Sequence, residues 1–303
     1  MNRTLPRYLG PYRLLRRIGH GGMCEVYEAA VYGASGFEKQ IAVKTLLPEC
    51  QGNHEMERLL IKEATISSHL NHRNLIQIHD FGSDEGIYYV RMDYIDGADL
   101  RTLCRKSRPS PALAILIAAE IALALDYVHR STDDGGRPLG LIHRDISPSN
   151  ILISSSGEVK LADFGVAKAT KLADSTQGNI RKGKYAYMSP EQVASLKLTP
   201  QSDQFGLGIT LMEMLCGRRP FDGNSPLETM DLIKAARPDL SPLKSEYKAL
   251  IARCLHREPA ERFPNAGSLH RSLSRLQRTL PLAGPPALGA WVRKLTQHTA
   301  HAQ

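Results

Sequence analysis

The chain is poor in features that mark several protein classes, and each shortage excludes something. Its 303 residues include five cysteines, at 24, 50, 104, 216 and 254, scattered and without a CxxC pair. An odd, dispersed set excludes a disulfide framework and a zinc ribbon and fits a reducing compartment. There is no uninterrupted apolar run of about 18 residues or more. The most apolar stretch, 112–128, is broken by Glu120 and Asp126, so it reads as a buried helix and not a membrane span. The N-terminus lacks the apolar core of a signal peptide, and no internal repeat is visible. The expectation is a soluble, cytoplasmic protein without a transmembrane anchor. What remains is ordinary globular composition: 42% hydrophobic residues, 24 Gly and 18 Pro. The net charge of +8 reads as a solvated basic face, and no nucleic-acid partner is expected. The sequence itself sets no oligomeric state.

Apolar periodicity divides the chain. Residues 12–18, 26–30, 40–46, 76–80 and 87–93 alternate as strands do, while 55–70 carries a helical stripe formed by Leu59, Leu60, Ile66 and Leu70. Beyond Gly97 the pattern is helical, with apolar faces over 112–129, 202–216 and 247–256. This predicts an α+β protein: a β-rich part over 1–95, its core starting near residue 10, and an α-rich part over 96–279. In 280–303, Pro and Gly break the periodicity, and the segment is expected to be a tail.

The chemistry concentrates in His143-Arg144-Asp145-Ile146-Ser147-Pro148-Ser149-Asn150, which reads HRDxxxxN, followed by Asp163-Phe164-Gly165 after a strand-like 159–162. This spacing offers one carboxylate, Asp145, to a substrate hydroxyl, and a carboxamide and a second carboxylate, Asn150 and Asp163, to Mg²⁺. That is the equipment of phosphoryl transfer, where catalysis is mainly positioning and charge neutralisation. With both motifs in this order, the chain resembles the eukaryotic-like serine/threonine protein kinases of bacteria.

The resemblance covers about residues 10–279 and implies a two-lobed kinase fold, ATP and Mg²⁺ as cofactors, and a protein substrate with a Ser or Thr acceptor. Ile18-Gly19-His20-Gly21-Gly22-Met23-Cys24-Glu25-Val26 stands where such kinases carry a glycine-rich phosphate loop, whose backbone amides approach phosphate closely. Lys44, in Ala42-Val43-Lys44, matches the lysine of the α/β-phosphates, with Glu63 as its helix-borne partner. Ile18, Val26, Ala42 and Leu152 would enclose the adenine. Met92 would close the back of the pocket, and Asp93, Tyr94 and Ile95 would present backbone groups to the ring edge. Glu191, in Ser189-Pro190-Glu191, would pair with Arg262, and Asp203 would anchor the catalytic loop.

Three positions depart from the family pattern. Cys24 replaces the third glycine of the phosphate loop. Ser147 stands where serine/threonine kinases carry lysine, and Lys184 follows Gly183 where they carry threonine. The paired departures suggest a relocated cation, with Lys184 assigned to the catalytic set beside Asp145, Lys44 and Glu63. Arg144 is expected to read a phosphate on the activation segment, where Ser175 and Thr176 fit better than Thr170. Ser147 and Cys24 also leave open a pseudokinase that binds nucleotide or partners as a signalling scaffold.

Overall fold

The structure, a computed structural model, describes residues 5–133, 135–164 and 185–297. They form two compact units. One runs to residue 71 and resumes over 76–95; the other holds 72–75 and everything from 96 onward.

The first unit is an antiparallel sheet in the order β1-β2-β3-β4-β6-β5. Its strands are β1 (Arg7–Leu9), β2 (Tyr12–His20), β3 (Cys24–Tyr32), β4 (Glu38–Leu46), β5 (Ile78–Asp84) and β6 (Ile87–Met92). Strand alternation gives the sheet two chemically different faces. Tyr27, Ala29, Ile41, Val43 and Tyr89 pack one face with Leu9, Tyr12 and Leu14 into an apolar core. The other face carries Val26 opposite Lys44, and Ala42 opposite Met92. Helix α1 (His54–Ser68) starts where Asn53 accepts the amides of Glu55 and Met56, and it buries Leu59, Leu60 and Ala64.

β2, β3 and β4 run two residues past the expected bounds at one end or both, β6 stops one residue short, and β5 departs most. β5 begins at Ile78 and continues to Asp84, starting two residues later and ending four residues later than the apolar pattern predicts. The turn is Glu85-Gly86, both with positive φ (47° and 80°), which closes a two-residue hairpin.

The second unit pairs β7 (Gly97–Asp99), β8 (Ile151–Ser154) and β9 (Val159–Leu161) in one small sheet. Around it lie α2 (Leu100–Lys106), α3 (Pro111–His129), α4 (Pro190–Val193), α5 (Gln201–Cys216), α6 (Pro226–Ala235), α7 (Ser245–Cys254), α8 (Ala266–Gln277) and α9 (Pro285–Thr296). Among the described residues α3 alone is long and apolar enough to cross a membrane, and most of it is buried inside this unit. α5 is also buried along most of its length and ends at Gly217 in the left-handed conformation (φ 73°).

The segment read as a tail contains an ordered helix. Pro285 takes the first turn of α9, where its missing amide costs nothing, and Leu288 and Val292 are fully buried. Its start lies against the β8–β9 turn: a Cβ on Gly157 (φ 91°) would collide with the Pro285 carbonyl oxygen. Lys106 of α2 caps the far end by donating to the Leu295 carbonyl at 2.7 Å. The clustered Pro and Gly therefore mark a helix start, not the end of ordered structure.

Candidate active site

In the second unit the HRD segment is an irregular loop held by one buried carboxylate from the start of α5. Asp203 accepts the amide of His143 through Oδ2 (2.9 Å) and that of Arg144 through Oδ1 (2.8 Å), while His129 Nε2 donates to Oδ2 at 2.8 Å. Burial alone would raise this carboxyl's pKa. The His129 contact, His143 and the loop amides outweigh it, and the value ends below the usual range. The amides hold Arg144 at φ 68°, a conformation a non-glycine residue rarely adopts. On the other side, Gln192 Nε2 donates to the Arg144 carbonyl at 2.9 Å. His143 is wholly buried, and burial lowers its pKa. Its Nε2 lies 3.2 Å from the Ala162 carbonyl and its Nδ1 accepts the Asp145 amide at 3.3 Å, so the neutral ring carries its proton on Nε2. Its ring centroid is 4.8 Å from that of Phe164. The imidazole thus joins the two motifs.

Asp145 follows directly and is buried. Asn150 Nδ2 donates to the Asp145 carbonyl at 2.8 Å, which turns the amide oxygen to the outer end of the side chain. The Asn150 carbonyl in turn accepts the Ala162 amide at 2.8 Å, so Asp163 is one residue from a direct backbone bond to Asn150. Asp163 adopts φ 56°, again left-handed. A carboxylate and an oriented amide oxygen are hard donors, and two of them suit Mg²⁺, which keeps waters and takes phosphate oxygens for the rest. The residues present fit that ion. Leu152 lies in β8 opposite Asp99 and Lys160. Ser147, at the family's lysine position, is buried with its hydroxyl 3.0 Å from that of Ser149.

In the first unit Lys44 Nζ lies 2.8 Å from Glu63 Oε1, with both side chains largely buried. Strand register sets Val26, Ala42, Lys44 and Met92 on one face of the sheet. The glycine-rich segment is the β2–β3 hairpin: Gly19 pairs with Val26 and His20 with Glu25, and Gly21 donates to the Cys24 carbonyl at 2.5 Å. Ile18 is exposed on β2, Gly22 has open space where a Cβ would stand, and Met23 and Cys24 are buried. Glu25 is one residue out of phase with Val26, so its side chain faces away from Lys44 and meets Arg17 (3.7 Å). Only its backbone belongs with the loop. The Asp93 amide is committed to the Gln77 carbonyl (3.0 Å) and its carboxylate to His79 (2.7 Å), which leaves its carbonyl for a ligand edge. Tyr94 accepts Arg16 at 3.3 Å through its hydroxyl, and Ile95 closes the unit.

The protein kinase domain model matches residues 12–272. The chain belongs to the protein kinase domain family. It is 35% identical over 298 residues to the Tyrosine-protein kinase MasK of Myxococcus xanthus, covering 94% of this chain and 46% of that protein. It is 35% identical to the Serine/threonine-protein kinase PknD of Mycobacterium tuberculosis, covering 86% of this chain and 39% of that one. Serine/threonine-protein kinase PrkC of Bacillus subtilis is 32% identical, with 88% of this chain and 40% of that protein covered. The kinase domain thus spans less than half the length of these curated relatives. Among solved structures, a mutant form of the Mycobacterium tuberculosis PknI kinase domain has a TM-score of 0.66 at 24% identity over 91% of this chain and 99% of that one, a likeness of fold.

Further from the loop, Arg262 and Glu191 form a bidentate buried pair at 2.7 and 2.9 Å. Arg262 also donates to the carbonyls of His256, Gln201 and Arg257, and stacks over Phe205 at 4.9 Å. Two supports escape the motif reading. His129, the partner of Asp203, has no signal beyond its place at the end of an apolar helix. Gln192 has one: Ser189-Pro190-Glu191-Gln192 is a capping box, with both reciprocal bonds formed. Lys184, Thr170, Ser175 and Thr176, and the Gly165 that completes the DFG motif, lie outside the described residues.

Proposed function

We propose that this chain is an ATP-dependent protein kinase that transfers the γ-phosphate to Ser or Thr hydroxyls of protein substrates. The observation that carries the reading is the double clamp of Asp203 and Gln192 on Arg144, which fixes the backbone immediately before Asp145. In this reading Asp145 orients the acceptor hydroxyl and takes its proton as the oxygen–phosphorus bond forms and the bond to the β-phosphate bridging oxygen breaks. Lys44, held by Glu63, positions the α/β-phosphates, and the β2–β3 hairpin offers its amides to them. Asn150 and Asp163 would hold Mg²⁺, which supplies charge neutralisation on the phosphates when bound. Val26, Ala42, Met92 and Leu152 contribute apolar surface for the adenine. Lys184 supplies the cation missing at Ser147, and Ser175 or Thr176 takes an activating phosphate read by Arg144.

Serine and threonine specificity is favoured by the names of most of the bacterial relatives, while MasK, named a tyrosine kinase, keeps Tyr as the alternative acceptor. None of the five cysteines is in a disulfide, which supports a reducing, ATP-rich cytoplasm as the place of action. The test is incubation with Mg-ATP and a protein acceptor, followed by phosphosite mapping. Phosphate on Ser or Thr is expected; phosphate on Tyr only would assign the other acceptor, and no transfer would favour a nucleotide-binding scaffold.

A further inference from the structure

Within the second unit a cavity of about 600 Å³ opens beside the catalytic loop, walled by α2, the end of α5 and the chain entering α6. Its lining carries five arginines and two carboxylates. Arg101, Arg105 and Arg108 come from α2 and the residues after it; Arg218 and Arg219 come from the turn after α5. Both carboxylates are already engaged. Glu213 Oε2 accepts the Tyr187 hydroxyl at 2.5 Å, and Asp222 meets Arg219 at 2.6 Å. Arg218 is paired with Asp239 at 2.7 Å. Arg101, Arg105 and Arg108 have no carboxylate of a described residue within ion-pairing distance.

This is a concentration of guanidinium groups around one concave site, three of them without a carboxylate partner among the described residues. Gly217 is left-handed (φ 73°), and a Cβ there would stand 2.9 Å from Arg108 Cδ, so glycine keeps the end of α5 close under that side chain. The cavity also touches the chemistry. Pro148, three residues after Asp145, lines it. Gly206 packs between the Ile146 and Tyr187 carbonyls, 3.0 and 3.2 Å from where its Cβ would be, which ties the Tyr187 wall to the residue next to Asp145. Three residues of extended chain span roughly 10 Å, so an acceptor presented to Asp145 leaves side chains a few positions away within reach of the arginines.

We propose that this cavity is an acidic-residue subsite for the protein substrate, in which Arg101, Arg105 and Arg108 receive a carboxylate or a phosphate carried a few residues from the acceptor. The inference rests on the kinase reading and deepens it: it names the substrate class as acidic or previously phosphorylated segments. Arginine suits the task because its planar fork binds carboxylate and phosphate through two parallel bonds.

The experiment uses a panel of Ser-acceptor peptides with Asp, phosphoserine, Ala or Arg placed in turn at each position around the acceptor, assayed with the whole chain and Mg-ATP. Asp or phosphoserine at one or two positions should raise kcat/KM by roughly tenfold over Ala, with Arg below Ala. In Arg101→Ala/Arg105→Ala/Arg108→Ala the preference should vanish while the all-Ala peptide is phosphorylated at the wild-type rate. Arg105→Glu should weaken the acidic preference and improve the Arg peptide. The Asp and phosphoserine arms show which anion is favoured. An enzyme that phosphorylates Ala and Asp peptides alike, or a preference that survives the triple replacement, overturns the proposal. Fluorescence-anisotropy binding of the same peptides to the unmutated chain and to the triple variant separates the two ideas. If no peptide is phosphorylated, the kinase reading fails on its own. Arginine-dependent binding of acidic peptides then upholds the subsite, and equal binding of Ala and Asp peptides removes it.

Discussion

Asp203 holds Arg144 in a left-handed backbone conformation by accepting its amide at 2.8 Å, while the other carboxylate oxygen takes the His143 amide at 2.9 Å. A conformation of this kind costs on the order of 1–3 kcal/mol and persists only where its surroundings impose it. The catalytic loop therefore depends on a residue 59 positions away in sequence. Asp203→Ala leaves two amides and the His129 imidazole without their acceptor. It should lower stability by about 3 kcal/mol or more and turnover by at least tenfold. Asp203→Asn, which keeps one acceptor oxygen, should fall between. Thermal unfolding and steady-state kinetics on both variants check the order.

Arg262 donates to Glu191 and to three carbonyls with no exposed surface of its own. Removing one member strands a buried charge, so Arg262→Ala should cost about 3–5 kcal/mol, and Arg262→Lys, lacking the planar fork, should recover little of it. The same pair sets an acid limit. Burial would raise the Glu191 pKa, but the Arg262 bonds outweigh it and leave the value depressed, as at Asp203. A depressed carboxyl stabilises the fold above its unfolded value, near 4, and loses that contribution as pH falls through the folded value. Melting temperature should hold from about pH 7 to 5 and drop below about pH 4. A Glu191→Gln/Arg262→Met variant should show a shallower drop.

Local pattern carries the catalytic loop well, because its residues sit within a few positions of one another. Asp145, Asn150 and Asp163 are drawn together by bonds between near neighbours, and Lys44 finds Glu63 along one strand and the next helix. What a linear reading misses is long-range. His129 meets Asp203 across 74 residues, and its apolar surroundings give it the look of a core histidine. The α9 helix is hidden for another reason: Pro285 and Pro286 break helices in their interiors and start them at their first turn, and composition alone does not separate the two. The strand phase of Glu25 follows from register, which is fixed by pairing with β4 and not by its own segment.

Helix α9 is part of the second unit's core. Leu288→Ala should lower stability by about 2–5 kcal/mol, since the side chain is fully buried. Gly157→Ala should be comparably harmful, because its Cβ would fall on the Pro285 carbonyl. A melting temperature unchanged by both would mean that the helix does not stay docked in solution.

Ser147 fills the family's lysine position with a buried hydroxyl bonded to Ser149, so no cation is supplied from there. If Lys184 replaces it, Lys184→Thr should slow transfer by about tenfold to a hundredfold. Adding Ser147→Lys should restore much of that rate, a coupling read by a double-mutant cycle. Simple additivity would show that the two positions act independently.

The most direct test of the account is phosphoryl transfer by Asp145→Asn beside the unmutated chain, with Mg-ATP and a protein acceptor followed by intact mass. The replacement keeps the size of Asp145 and its backbone bonds to His143 and Asn150, and removes the carboxylate's charge and its ability to take a proton. The account predicts ATP binding close to that of the unmutated chain, with transfer reduced by about 10²-fold or more. Transfer by Asp145→Asn at the unmutated rate would contradict it.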